Sequence, residues 1–156
     1  MVMRRKIALS ALALALGLAS AAPAQEAFQD PRAPAARTPA QKAFVLEQMR
    51  LFVGSIQQIA EGLASNDKAK VAAAARPRGL IAVRALPNKP AGLADVETAE
   101  WKGFGKATRN GFDAIADAAE RDASTAEILT LLATTTKNCV ACHATYRLVE
   151  STPAAQ

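Results

Sequence analysis

The chain has 156 residues, of which 51% are hydrophobic, and it carries a formal net charge of +5. This length is that of one ordinary domain. Three of the 19 basic residues lie within the first six positions, so the remaining 16 face 14 acidic residues and the rest of the chain is nearly neutral. Because no basic face stands out, the composition argues against a nucleic-acid-binding protein.

Residues 1–24 have the pattern of a secretory signal peptide. The basic residues Arg4, Arg5 and Lys6 precede an apolar run of alanine and leucine at residues 7–21, and residues 22–24 supply the small residues of a cleavage site. A retained membrane anchor is the alternative, but the apolar run is short for a spanning helix. We therefore predict export, cleavage after residue 24 and no membrane association afterwards.

The next two segments are predicted to be a tail and a helix. Residues 25–37 hold two prolines among alanines and polar residues, without apolar periodicity, which predicts a flexible N-terminal tail. Helix A is predicted from Thr38, which forms a capping box with Gln41, to about Ser65. Its apolar residues alternate in steps of four and three, as in a helix bundle, at Val45, Met49, Phe52, Ile56, Ile59 and Leu63.

Two further helices are predicted in the middle of the chain. Helix B covers residues 68–86, where Pro77 must kink or break it, and a loop rich in proline and glycine follows at residues 87–92. Helix C begins near residues 95–98 and ends near Arg121. Its apolar side contains Trp101, Phe104, Thr108, Phe112, Ile115 and Ala119. Three glycines are costly inside this helix: Gly103, Gly105 and Gly111. Either they occur by chance or in a frayed first turn, or they allow the close approach of another helix or of a flat cofactor.

Helix D is predicted from Ser124, which forms a second capping box with Glu127, to about Glu150. Its apolar face contains Ile128, Leu131, Leu132, Thr135, Cys139, Cys142 and Tyr146. No segment alternates as a strand does. The sequence therefore predicts an all-α protein, an antiparallel four-helix bundle in which the C-terminal helix carries the cysteines toward the core.

Residues 139–143 read Cys-Val-Ala-Cys-His, the motif that attaches c-type haem. Two thiols must add to the two vinyl groups of one porphyrin, and helix positions i and i+3 share a face. His143, one position later, shares that face and can reach the iron as the proximal ligand. Cys139 and Cys142 are the only cysteines of the chain, and His143 is its only histidine.

A cysteine pair with this spacing has three other known uses in proteins. A structural disulfide is compatible with export. A thioredoxin-like redox pair needs a βαβ setting, which a helical pattern does not supply. A zinc site needs four ligands, and the sequence offers only three good ones. The motif therefore predicts covalently bound haem c, with one haem per chain.

With helix D ending in Cys-x-x-Cys-His-x-x-Tyr-Arg, residues 139–147, and with Leu-Glu-Gln-Met-Arg at residues 46–50, the chain resembles cytochrome c′ and cytochrome c-556. The resemblance covers most of residues 38–150, and it implies a haem-binding domain over residues 38–156. It also implies a periplasmic location, redox partner proteins and often a homodimer packed through helices A and B. Within this family, proteins either transfer electrons or bind nitric oxide or carbon monoxide.

The resemblance implies that helix A determines the ligation of the iron. In the c-556 type a Met from this helix occupies the sixth coordination position, whereas in cytochrome c′ that position is empty and an apolar side chain shields it. Met49 is the only methionine outside the predicted signal peptide, and a thioether is a suitable iron ligand. Met49 can also be a core filler. A second register brings Leu46 over the iron, in an apolar pocket with Met49, Phe52 and Val53.

Tyr146 and Arg147, which follow the motif, complete the predicted site. We expect Tyr146 to pack beside the haem with its hydroxyl at a polar edge. Arg147 could pair with a haem propionate or tune the imidazole, and otherwise it is a basic residue in a last helical turn. No acid/base pair or nucleophile arrangement is evident, so the sequence predicts a one-electron carrier and not an enzyme.

Overall fold

The computed structural model describes residues 29–151, so the predicted signal peptide lies outside the described residues. The described part is mostly helical, with one small sheet, which confirms the all-α class in its broad form. The elements in chain order are strand β1 (Ala33–Arg37), helix α1 (Pro39–Ala64), helix α2 (Lys68–Ala75), a 3-10 turn (Arg76–Arg78), helix α3 (Leu80–Arg84), helix α4 (Ala99–Glu120), helix α5 (Thr125–Thr145) and strand β2 (Tyr146–Glu150). No helix among these residues is long and apolar enough to cross a bilayer.

The first helix begins as predicted. Thr38 Oγ1 accepts a hydrogen bond from the backbone nitrogen of Gln41 at 3.3 Å, and Gln41 Oε1 accepts one from the backbone nitrogen of Thr38 at 3.1 Å. This capping box satisfies two backbone donors that the helix itself leaves unpaired. Ser124 caps α5 through the nitrogen of Glu127, but the Glu127 carboxylate binds Arg121 instead of completing the box.

Helix B is broken at the predicted proline. Helix α2 ends at Ala75, and Pro77 lies in the 3-10 turn before α3 begins at Leu80. Proline cannot donate the helical hydrogen bond and its ring clashes with the preceding turn. The carboxylate of Asp113, from α4, accepts a hydrogen bond from the Leu80 nitrogen at 2.8 Å and so caps the new helix.

The core lies where α1, α2, α4 and α5 pack together. Predicted apolar positions on three helices are buried in it, and its largest fully buried side chains are Phe112, Ile59, Ile115, Ile128, Val71 and Thr135. Helix α4 contacts both α2 and α5. At Gly111 the approach to α5 is so close that an added Cβ would overlap Thr135 Oγ1 and lie 2.8 Å from its Cγ2. Of the two interpretations of these glycines, the close approach of a neighbouring helix is therefore the one confirmed at Gly111.

The two strands differ from the predictions for both ends of the domain. Residues 33–37, predicted to be a flexible tail, form β1, and helix D ends at Thr145 instead of continuing to Glu150. The strands pair in parallel, with Ala33 opposite Tyr146 and Arg37 opposite Glu150. Tyr146 has an extended backbone (φ −122°, ψ 147°), which ends the helix. The prediction that no strand occurs was wrong because the hydrogen-bond partners lie more than a hundred residues apart and leave no local signal.

Candidate functional site

A cavity of about 1100 Å³ opens between α1, α4 and α5. We call it the central cavity. Helix α1 lines it from Phe44 to Ile56, α4 lines it from Trp101 to Arg109, and α5 lines it from Asn138 to His143. The short helix α3 and the segment at residues 89–97 complete the wall. The wall is largely apolar, and the cavity volume lies just above the range of about 300–1,000 Å³ that is typical of small-molecule sites.

All three residues of the haem motif lie on the wall of this cavity. Cys139, Cys142 and His143 line it, whereas Val140, between the two cysteines, is 69% exposed. The helical spacing explains this separation, since positions i, i+3 and i+4 share one face of α5. Both cysteines are free thiols, so the structure contains no disulfide between them. The two thiols and the imidazole therefore face the same space.

The environment of the thiols favours their neutral form. Burial raises the pKa of Cys139, although a hydrogen bond with Thr108 opposes this effect. Burial also raises the pKa of Cys142, and the neighbouring Cys139 and Glu100 add to the increase. A desolvated wall penalises the thiolate because a charged group loses its hydration there. Both side chains are therefore protonated thiols near neutral pH.

Helix α1 brings both candidate distal residues to the same cavity. Met49 and Leu46 line it, and so do Phe52 and Val53. Met49 and Leu46 are each half-buried, while Val53 is largely exposed. Phe52 stacks on Phe112 with ring centroids 5.3 Å apart, which ties this wall to the core. The predicted set from helix A is thus brought together with the haem motif.

Tyr146 and Arg147 do not line the central cavity. Tyr146 lies in β2, where its hydroxyl donates to Glu100 Oε2 at 2.5 Å and its ring packs edge-on against Trp101. It lines a second cavity of about 390 Å³, next to Arg37. The Nε atom of Arg147 is buried without a hydrogen-bond partner among the described residues. Their predicted roles beside the haem remain predictions.

Arg109 is a cavity residue that the sequence interpretation missed. It lies on α4, half-buried on the cavity wall, and its guanidinium lies over the Phe52 ring at 5.0 Å from the centroid. Helix periodicity carries the signal that could have found it. Position 109 follows Thr108 on the predicted apolar side of helix C, and a basic residue beside that face is unusual.

The wall fits a porphyrin in size, polarity and donor set. It is apolar, it presents two thiols at the required spacing, and it presents one imidazole from the same helix face. Gly105 also lines the cavity, and a Cβ built at Gly105 would meet no atom within 4 Å. Among residues 29–151, no group of three or more His, Cys, Asp or Glu side chains is arranged to hold a metal ion. A porphyrin does not need such a group because its own nitrogens bind the iron.

Comparison of the chain with protein-family models, with curated proteins and with solved structures found no match.

Proposed function

We propose that this protein is a periplasmic c-type cytochrome that binds one haem covalently and transfers single electrons. One observation carries the proposal: the two thiols and the imidazole of the Cys-x-x-Cys-His motif line one large apolar cavity, together with the methionine of helix α1. A large, mainly apolar space that a few polar groups line is typical of a small-molecule or cofactor site.

Each residue has a separate role in this proposal. Cys139 and Cys142 form the two thioether bonds, and His143 is the proximal ligand. Met49 is the distal ligand. A thioether in this position raises the reduction potential of a histidine-ligated haem. Haem, when bound, supplies the one-electron couple, and the chain's own residues hold it, exclude water from it and set its ligation. Redox proteins of the periplasm are the expected partners, and homodimer formation is expected from the resemblance.

The fold belongs to the same proposal. Helices α1, α2, α4 and α5 supply the common core, and α4 and α5 run antiparallel, since Gly111 faces Thr135 while Trp101 contacts Tyr146. We interpret this packing as an antiparallel four-helix bundle of the cytochrome c′ type, with the porphyrin between α1, α4 and α5. Periplasmic location is supported by the signal-like pattern of residues 1–24 and by the need for haem attachment outside the cytosol.

A gas-binding protein is the second candidate, and the composition of the α1 wall favours it. Leu46, Phe52 and Val53 line the cavity around Met49. If Leu46 shields the iron instead of Met49 binding it, the sixth position stays open in an apolar pocket. Such a pocket would bind nitric oxide or carbon monoxide. The two candidates share the covalent attachment and differ only in what stands on the distal side.

Expression with a cytochrome c maturation system tests the attachment. We expect a coloured mature protein whose mass includes one haem and whose haem resists extraction with acidified acetone. The matched control is the double variant Cys139→Ser and Cys142→Ser, in which the haem should become extractable. A colourless wild-type product without a haem adduct would refute the proposal and favour a thiol protein.

Absorption spectra with and without carbon monoxide then separate the two functions. A low-spin spectrum that carbon monoxide does not change would support electron transfer with Met49 bound. A high-spin spectrum that shifts promptly with carbon monoxide would support the gas-binding alternative, because only an open position accepts the ligand without displacing a side chain.

A further inference from the structure

Arg109 is held in a fixed orientation at the wall of the central cavity. Its Nη1 donates to the backbone oxygen of Arg78 at 3.2 Å, and its Nη2 donates to Gln48 Oε1 at 3.3 Å. The face of the group lies over Phe52. A guanidinium has five N–H donors in a planar fork, so these two bonds fix the plane and leave donors for a further acceptor.

The charge of Arg109 is not balanced by any carboxylate that the structure describes. No ion pair within residues 29–151 includes Arg109, whereas Arg76 pairs with both Asp117 and Glu120. The acceptors of Arg109 are a carbonyl and an amide, which carry no net charge. Burial lowers the pKa of Arg109 to about 10, and the positive charge of Arg78 adds to this decrease. A partly desolvated cation without a partner favours an anion beside it.

The other charged groups of the wall are also mainly basic. Arg50, Lys89, Lys102 and Lys106 line the cavity, and so do the carboxylates of Asp95 and Glu97. Arg50 is already paired with Glu47. Lys102 and Lys106 are exposed and precede Arg109 by helical steps that leave all three on one side of α4. Arg109 is the half-buried member of this group.

We propose that Arg109 binds a carboxylate of the porphyrin in the central cavity, that is, a haem propionate. This inference rests on the proposed function. Haem is an apolar disc with two carboxylates, so an apolar cavity must supply a cation where a carboxylate is desolvated. Arginine suits this task because its fork binds a carboxylate through two parallel hydrogen bonds. Arg147, which the sequence offered for this contact, does not line the cavity.

The test is a pH titration of the haem-loaded mature protein, read by absorption and by midpoint potential. An opposite charge in contact lowers the pKa of a carboxyl group by about 1–3 units. We therefore expect Arg109→Gln to raise the propionate-linked transition by about 1–3 pH units. Lys106→Gln is the matched control, since it removes an equal charge from an exposed position of the same wall, and it should shift the transition less.

Each outcome decides the assignment. An unchanged transition in Arg109→Gln would overturn the assignment, and so would an equal shift in Lys106→Gln. A direct contact with the propionate should make only the Arg109 variant shift strongly, whereas the general electrostatic field of the wall should shift both variants alike. If the transition of Arg109→Gln differs from that of the wild-type protein only when acetate is present, Arg109 binds a free anion. This result would also overturn the propionate assignment. If Arg109→Gln does not mature, Arg109→Lys decides: losing the two-bond fork should raise the transition by part of that amount, and no rise overturns the proposal.

Failure of this inference is distinct from failure of the proposed function. If wild-type protein carries no covalent haem, the proposed function itself has failed, and there is no propionate to titrate. If covalent haem is present and the Arg109 variants titrate as wild type does, only the propionate assignment has failed.

Discussion

Gly111→Ala should destabilise the protein although alanine is the better helix former. The residue lies inside α4, where replacing glycine with alanine gains about 0.5–1 kcal/mol. Against this gain, the new Cβ would overlap Thr135 Oγ1 and lie 2.9 Å from the Thr135 Cβ. Thr135 is 2% exposed, and its hydroxyl donates to the Leu131 oxygen at 2.7 Å, so it has little room to rotate away.

The two effects can be separated with a control on the same helix. Overpacking a well-packed core costs about 1–3 kcal/mol, so Gly111→Ala should have a net effect between about zero and about 2.5 kcal/mol of destabilisation. Gly103→Ala adds the same methyl group at a site with no atom within 4 Å, and it should stabilise by about 0.5–1 kcal/mol. The free energy of unfolding would be measured by urea denaturation of both haem-loaded variants.

The comparison also bears on the site. Thr135 precedes Cys139 by one helical turn of α5. If a larger side chain at position 111 displaces α5 at Thr135, the displacement would reach the residues that line the central cavity. Equal stabilities for Gly111→Ala and Gly103→Ala would refute the reasoning, because the close contact between α4 and α5 would then carry no cost.

Three further predictions concern the distal ligand, a helix cap and an ion pair. Met49→Ala should turn a low-spin spectrum high-spin and open the iron to carbon monoxide; a wild-type spectrum that is already high-spin would show that Met49 only fills the core. Thr38→Ala removes the cap of α1 and should lower the free energy of unfolding by about 1 kcal/mol in a urea titration; an unchanged value would contradict a stabilising cap. Arg121 lowers the pKa of Glu127 below its ordinary value of 4.5, so this pair stabilises above that pH and loses its effect as pH falls through the lowered pKa. Glu127→Gln should therefore weaken the acid dependence of stability in that range, and an identical pH profile would contradict it.

Local rules were enough to predict where α1 and α5 begin, where helix B breaks, and several of the residues that three helices bury. The capping box at Thr38 sets the start of α1, and Pro77 breaks helix B because its ring and missing donor act on the nearest turn. The buried positions Ile59, Phe112 and Ile128 follow from helical periodicity. The grouping of Cys139, Cys142 and His143 on one face also follows from chain spacing, because positions on one helix stay in register.

Contacts between distant segments could not be predicted in this way. The parallel pairing of β1 with β2 depends on backbone hydrogen bonds between residues 33–37 and 146–150, and it changes Tyr146 from a helix residue to a strand residue. The half-buried charge of Arg109 depends on three neighbours from other segments, Arg78, Gln48 and Phe52. Spacing along the chain determines which residues share a face, but the packing of the faces determines what each one meets, because burial and charge pairing arise only between segments.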